Sequence, residues 1–269
     1  MIKAVVTGAA GRMGSRIINV LSTSEGISLS GAVERKGHPF VGQDSCGPAG
    51  IPQGGVLTAI SDDLPDALRT GDVLIDFTSP GASLEHIKTC AELGKSVVIG
   101  STGFSKEQLD VVNQYTGKIP CVLSPNMSVG VNVCFKVLAD LAKTLGQDFD
   151  VEIVEAHHRL KKDAPSGTAV RMGEVVANAL GRNYREVANF HREGITGVRT
   201  NKEIGMQTIR GGDIIGEHTV YFIGMGERIE LTHRALTRDM FARGAVRAAR
   251  WVVGRKPGLY DMQDVLGLK

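Results

Sequence analysis

Several things are missing from this sequence, and each absence narrows its function. No stretch approaches the ~18–20 consecutive apolar residues that a membrane-spanning helix requires. The N-terminus enters an apolar strand at Ile2, without the basic segment and cleavable apolar stretch of a secretory signal. Neither sign of charge dominates: 31 lysines and arginines stand against 29 acids, a formal net charge of +2. No global field therefore draws the chain to nucleic acid or a membrane surface, and any basic site must be local. The four cysteines, Cys46, Cys90, Cys121 and Cys134, lie far apart and form no CxxC pair. That spacing suits reduced thiols in a cytoplasmic setting, and implies neither a disulfide framework nor a zinc knuckle. Internal repeats and low-complexity tracts are also lacking.

What is present fits a globular chain of more than one domain. Its 269 residues exceed the usual single-domain size, and 42% hydrophobic content is enough for a sizeable core. The first half alternates two patterns. Short β-branched runs at Ile2–Val6, Leu29–Val33, Val73–Phe77, Val97–Gly100 and Cys121–Leu123 lack polar alternation, as strands buried on both faces of a parallel sheet do. Between them lie helical spacings, such as Met13, Ile17, Ile18 and Leu21, then Leu84, Ile87 and Ala91, and the segment Ser105–Tyr115. The expected fold is α/β, with an N-terminal Rossmann-type doubly wound parallel sheet. After Pro125 the pattern changes. An apolar helix is expected over Val131–Leu145, a strand at Val151–Ala156 and a helix over Ser166–Leu180. Strand-like runs follow at Met206–Arg210, His218–Ile223 and Arg228–Leu236. These predict a C-terminal α+β domain with a mixed sheet. Asn183–Glu203 reads as a long loop, and Met240–Val253 as a closing helix with arginines on one side.

The turn after the first strand carries the first functional signal. Gly8-Ala9-Ala10-Gly11-Arg12-Met13-Gly14 places glycines at G-x-x-G-x-x-G spacing between a strand and an amphipathic helix. Such a turn lets backbone approach a pyrophosphate at a helix N-terminus. Glu34, at the end of the second strand and about 20 residues on, is placed to bond adenine ribose hydroxyls. Arg35 follows it and suits a 2′-phosphate, so NADH and NADPH both remain open; a solvated Glu-Arg pair is the structural alternative. Gly100-Ser101-Thr102 and Ser124-Pro125-Asn126-Met127 follow later strands with small, backbone-exposing residues, where ligands of parallel sheets sit.

The second signal lies between Glu155 and Ala169. From His157 to Lys162, every residue except Leu160 is able to carry positive charge, and Pro165-Ser166-Gly167-Thr168 has the form of a helix start. A cationic cluster beside a helix N-terminus offers two subsites for an anion, as a small dicarboxylate would use. A solvated basic loop is the bland alternative. No metal is expected, because His157-His158 lacks the i, i+4 spacing of a helical metal pair. A histidine and a lysine suit a reduction that must supply a proton.

With these residues in view, the chain resembles the dihydrodipicolinate reductase family over nearly its whole length. The resemblance rests on Gly8–Gly14, on Asp76-Phe77-Thr78 and on Glu155-Ala156-His157-His158 with Lys161, Asp163 and Pro165–Ala169. It extends to Gly211–Asp213, Gly216-Glu217-His218 and Gly258-Leu259-Tyr260-Asp261-Met262. It implies a dinucleotide-binding domain over 1–127, completed by a returning segment 238–269, and a substrate-binding and oligomerisation domain over 128–237. It implies NAD(P)H-dependent reduction of 4-hydroxy-tetrahydrodipicolinate or its dehydrated form in lysine biosynthesis, by a cytoplasmic homotetramer. By the same resemblance His157 and Lys161 donate protons. His158, Lys161, Ser166, Gly167 and Thr168 hold substrate carboxylates. Gly8, Ala9, Ala10, Gly11, Arg12, Met13, Glu34, Arg35, Gly100, Ser101, Thr102, Ser124, Pro125, Asn126 and Met127 line the NADH or NADPH site. Met127 stands where many members carry an aromatic residue. Two rivals are weighed. Another two-domain nicotinamide dehydrogenase has no need of the 157–168 cluster, and a silent dinucleotide sensor is expected to have lost it.

Overall fold

The computed structural model describes residues 1–51 and 58–269, which divide into two compact units, Met1–Val129 with Arg238–Lys269 and Gly130–Thr237. Numbered along the chain, the first unit holds strands β1 (Ile2–Thr7), β2 (Ile27–Val33), β3 (Ile60–Ser61), β4 (Val73–Asp76), β5 (Ser96–Ile99), β6 (Pro120–Leu123) and β12 (Gly258–Tyr260). They form one parallel sheet in the order β12-β6-β5-β4-β1-β2-β3. This is the doubly wound order with one strand added at the edge, and its switch point falls between β1 and β4.

Adjacent strand residues explain why the sequence shows no polar alternation. Ala4, Val6, Val73, Ile75, Val98 and Val122 enter one buried cluster with helix α1 (Gly14–Ser22) and the returning helix α9 (Asp239–Val252). Val5, Leu74, Val97, Ile99 and Cys121 enter the other, against α3 (Leu64–Thr70), α4 (Pro80–Glu92) and α5 (Lys106–Thr116). Both faces are covered, so both parities must be apolar. Helix starts follow the local chemistry: the Ser79 hydroxyl accepts from the Ala82 amide, and Ser105 with Gln108 forms a capping box. The two edge strands β3 and β12, of two and three residues, and the short helices α2 (Cys46–Ala49) and α10 (Met262–Leu266) escape the sequence reading because they are too short to show a period.

The second unit is a five-stranded mixed sheet, β11 (Arg228–Ala235), β10 (Gly216–Ile223), β7 (Asp150–His157), β9 (Ile204–Arg210) and β8 (Ala188–Asn189), in that order. β10 runs antiparallel to β7 and β11, whereas β7, β9 and β8 are parallel. Helices α6 (Val129–Leu145) and α7 (Gly167–Ala179) cover one face through Leu138, Ala142, Met172 and Val176 on Val151, Ile153, Ile204, Met206, Val220 and Phe222. The segment expected to be a loop differs in its first part. Asn183 caps a one-turn helix, α8 (Tyr184–Val187), and β8 pairs beside the start of β9. Only from Phe190 onward is the segment irregular.

The returning helix packs closely on the first unit. Its small residues Ala242, Gly244, Ala245, Ala248 and Ala249 are buried, while Arg243, Arg247 and Arg250 face solvent. A Cβ on Gly244 would stand 1.7 Å from the Met127 carbonyl oxygen, so helix and chain touch through bare backbone. On an open helix, Gly→Ala gains about 1 kcal/mol. Here the overlap decides the sign. Gly244→Ala is expected to destabilise the protein by about 1–3 kcal/mol, the usual cost of overpacking, measured as a lower urea midpoint. A rise in the midpoint would show that α9 sits further from Met127.

Candidate active site

The first unit builds a cavity of about 620 Å³ at the carboxyl ends of β1, β2 and β4, lined by Gly8, Gly11, Arg12, Met13, Glu34 and Arg35 among others. Gly8 takes φ +64°, a left-handed conformation that favours glycine. A Cβ on Gly14 would lie 2.0 Å from the Gly8 carbonyl oxygen, so the start of α1 comes up against the turn. The Glu34 carboxylate accepts from the Ala10 amide at 3.0 Å and the Arg35 amide at 3.2 Å, which fixes it at the rim. Thr7 Oγ1, at the end of β1 in this cavity, is buried with no partner among the described residues. A glycine cradle, an anchored acid and an orphaned hydroxyl fit a dinucleotide here.

The other cofactor candidates divide. Pro125 and Met127, with Arg12 and Met13, line a neighbouring cavity of about 280 Å³, together with Phe77, Arg238 and Phe241. Ala9 is buried in the core beneath the turn. Gly100 follows β5 and lies against the Phe77 ring; Ser101 is buried and its hydroxyl pairs with that of Ser83 at 2.9 Å. Thr102 is exposed on the same turn. Ser124 donates to the Asn126 carbonyl, and the Asn126 side chain accepts from the Ser128 amide, so these groups shape the turn after β6.

Several lining residues lay outside the sequence reading. His38, Asp62, Thr78 and His86 line the larger cavity, and Arg238 and Phe241 reach the smaller one from the end of the chain. His86 Nδ1 is 2.9 Å from the fully buried Asp76 carboxylate, which also accepts from Thr78. Burial works to raise the Asp76 carboxyl, but the bonds from His86 and Thr78 outweigh it and hold it below the usual value. The signal available was Asp76 itself, an acid closing an all-apolar strand.

The second unit carries the chemistry cluster, and strand parity explains its place. Val151, Ile153, Glu155 and His157 share the buried face of β7. Across the sheet Glu155 sits opposite Thr208 on β9 and His218 on β10, and His157 opposite Arg210. The polar cluster is thus the continuation of the hydrophobic face on three strands. The Glu155 carboxylate is 1% exposed and accepts five bonds. They come from His157 Nδ1 (2.5 Å), Arg210 Nη1 and Nη2 (both 2.8 Å), the Ser166 amide (3.0 Å) and Thr208 Oγ1 (3.3 Å). Burial would raise its pKa; the bonds from His157, Arg210 and Ser166 outweigh that and bring it down to about 2.

The predicted residues gather here with different degrees of access. Lys161 Nζ is held by Asp163 at 2.8 and 2.9 Å. Ser166 caps α7, its hydroxyl accepting from Ala169 and pairing with His218 Nε2 at 2.9 Å, and is 3% exposed; Gly167 beside it is exposed. His158 lies just past β7, its amide bonded to the Ile214 carbonyl at 2.7 Å. Thr168 is in the first turn of α7. His157 meets His218 edge-on, with ring centroids 5.2 Å apart. Burial first, and then the nearby His157, push His218 down to about 4. Arg210 and His218 were missed as site residues, although each lies in a strand-like run ending at a glycine-rich turn.

Comparison with known proteins places this geometry. The models described as "Dihydrodipicolinate reductase, N-terminus" and "Dihydrodipicolinate reductase, C-terminus" match residues 2–127 and 130–266. Curated relatives called 4-hydroxy-tetrahydrodipicolinate reductase from Citrifermentans bemidjiense and Geotalea uraniireducens are 67% and 68% identical, each over the whole of both chains. A dipicolinate-bound dihydrodipicolinate reductase from a Paenisporosarcina species aligns with a TM-score of 0.76 and 25% identity, over 98% of this chain and 99% of that one.

The buried pair His218 and Glu155 makes stability acid-sensitive in two windows. From pH 6.5 down to about 4 the unfolded chain binds a proton at His218 that the folded protein does not, so stability falls with pH. From pH 4.5 down to about 2 the same holds for Glu155. Urea unfolding at pH 7, 5 and 3 is expected to show losses in both intervals, and His218→Gln to shrink only the upper one, to which His233, also lowered by burial, still contributes. An unchanged upper loss in His218→Gln would mean that this imidazole is not held neutral.

Proposed function

The chain belongs to the dihydrodipicolinate reductase family as an oxidoreductase of lysine and diaminopimelate biosynthesis, and we propose that its Glu155–Thr168 unit binds the dicarboxylate substrate and supplies the proton. The reaction reduces 4-hydroxy-tetrahydrodipicolinate, or the cyclic imine formed on its dehydration, to tetrahydrodipicolinate. The nicotinamide dinucleotide, when bound, supplies the hydride. Addition at C4 of the ring sends electrons toward the imine and leaves an enamine, whose neighbouring carbon must then be protonated.

The observation that carries the assignment is the meeting of His157 and the start of α7 on the buried Glu155 carboxylate, with Lys161 tied to Asp163 on the loop between them. Lys161 already grips a carboxylate, that of Asp163. In the proposed complex a substrate carboxylate joins Asp163 on the Lys161 ammonium, and His158 with the Ser166–Thr168 turn holds the other. Glu155 accepts from His157 Nδ1, which leaves Nε2 as the atom through which the ring passes a proton. In the first unit, Gly8–Met13 and Glu34–Arg35 hold the dinucleotide, and the turns at Gly100–Thr102 and Ser124–Met127 its nicotinamide end. Two further readings complete the proposal. A homotetramer is supported by the family resemblance and by exposed Ile195 and Val198 in the second unit. A cytoplasmic setting is supported by four buried cysteines, none of which forms a disulfide. Among the described residues no helix is long and apolar enough to cross a membrane.

Both NADH and NADPH are expected to support turnover. Glu34 favours free ribose hydroxyls and Arg35 offsets a 2′-phosphate. Comparison of kcat/KM at fixed ionic strength checks this; a preference above roughly a thousandfold, about 4 kcal/mol, would mean that one of the two side chains does not reach the ribose.

Lys161→Ala and His157→Ala are each expected to lower turnover by ~10²–10⁴, the usual contribution of a placed proton donor, with cofactor affinity nearly intact. Lys161→Ala should also raise KM, because it removes a carboxylate contact present before the transition state; His157→Ala should act mainly on kcat. Fluorescence titration of NADH and steady-state kinetics on the imine measure both effects. Cofactor affinity lost in step with activity would transfer the cluster to the dinucleotide site.

A further inference from the structure

We infer that Glu155 and Arg210 are positioning residues of the reaction, one guanidinium fixing both proposed proton donors at once. Arg210 grips Glu155 with two bonds of 2.8 Å, and its Nη2 also donates to the Asp163 carbonyl at 2.7 Å. Glu155 in turn holds the His157 ring through Nδ1 at 2.5 Å, and Asp163 holds Lys161 Nζ. The chain His157–Glu155–Arg210–Asp163–Lys161 therefore joins the end of β7 to the loop before α7 through a side chain from β9. The inference rests on the roles proposed above for His157 and Lys161.

The geometry is that of an orienting pair. An ionised carboxylate only accepts, so Nδ1 keeps the shared proton and the one the ring gives up is that on Nε2 of its imidazolium form. The other ring nitrogen, Nε2, points to Gly216, where an added Cβ would stand 3.0 Å away. The titratable and charged groups around the ring come from every neighbouring strand: Glu155 on β7, Arg210 on β9 and the neutral His218 on β10, with Lys161 on the loop. A buried ion pair is a weak device for stability, since apolar side chains of similar volume commonly serve as well. Its geometric effect is larger. A guanidinium fork makes parallel bonds to a carboxylate and leaves a donor for a carbonyl; the single ammonium of lysine cannot do both.

A double-mutant cycle with Glu155→Gln, Arg210→Lys and His157→Ala tests this. Glu155→Gln keeps the shape and removes the charge. We expect kcat to fall about 10–100-fold, below the ~10²–10⁴ of the proton donor itself, with the affinity for pyridine-2,6-dicarboxylate within about threefold of the parent. Glu155→Gln combined with His157→Ala should be no slower than His157→Ala alone, because Glu155 acts through that ring. Arg210→Lys should lower kcat and also weaken the dicarboxylate, since the Asp163 carbonyl loses its anchor. The ¹⁵N shifts of His157 should show the Nδ1 proton lost from its fixed position in Glu155→Gln. Additive losses in the double mutant, or an unchanged imidazole spectrum, overturn the inference. Should Glu155→Gln fail to fold, Arg210→Lys is combined with His157→Ala instead, and the joint loss should fall short of the product of the two single losses, since only the part that passes through Lys161 remains. Full activity in His157→Ala alone would instead remove the proposed role of His157, an outcome separate from an inactive His157→Ala beside a fully active Glu155→Gln.

Discussion

Placing a carboxylate on the covered face of a strand obliges the surrounding chain to satisfy it. Glu155 continues the row Val151, Ile153 on β7, where the next two residues of that parity have no more apolar core to meet. Water is excluded and the charge must be neutralised by donors of the protein. Three separate parts of the chain answer: Arg210 and Thr208 from β9, the Ser166 amide at the start of α7, and the His157 ring. The conformation of the loop between β7 and α7 follows from this. Its far end is tied by Ser166, and its middle by the Asp163 carbonyl on Arg210. Of the basic residues that follow β7, Lys161 is thereby held on Asp163, whereas Arg159 and Lys162 are exposed.

The nucleotide half works by removal rather than satisfaction. At Gly14 and Gly8 side chains are absent where helix and turn approach, and at Gly244 where a helix meets the Met127 carbonyl. Space is kept open at the turn beyond β1 and eliminated between α9 and the Met127 backbone. The two halves thus use opposite means. One surrounds a charge with donors, and the other clears the backbone so that its own amides are the donors.

Most of the fold was legible because it is written in periodicity. Strands β1, β2, β4, β5 and β6 are apolar on both parities, and the helices between them repeat at helical spacing, so alternation alone gave the doubly wound sheet. The elements that escaped, β3, α2, α3, α8, β8, β12 and α10, span two to seven residues, less than the window in which a period is visible. The candidate site was legible where its residues are contiguous, in the glycine turn and from His157 to Thr168. It was illegible where strand pairing supplies a partner. Arg210 stands 55 positions from Glu155, and only the register of β9 beside β7 brings them together. Arg238 and Phe241 were hidden for a similar reason, since a residue late in the chain enters the small cavity only because α9 returns to the first sheet.

That return sets an order on synthesis. Residues 130–237 contain all five strands and both covering helices of their own unit, apart from the first residue of α6. The first unit is different: Ala242, Ala245, Val246, Ala249 and Val252 fill one side of its sheet, against Ile17, Ile18 and Val122. While the chain is still on the ribosome, that side of the earliest-made sheet is covered only in part, by α1, until residues 238–269 emerge. The part translated first is completed last, and the part translated second has the opportunity to fold before it. A nascent chain released short of α9 would therefore expose an apolar sheet face, which marks it for chaperones and proteases rather than for activity.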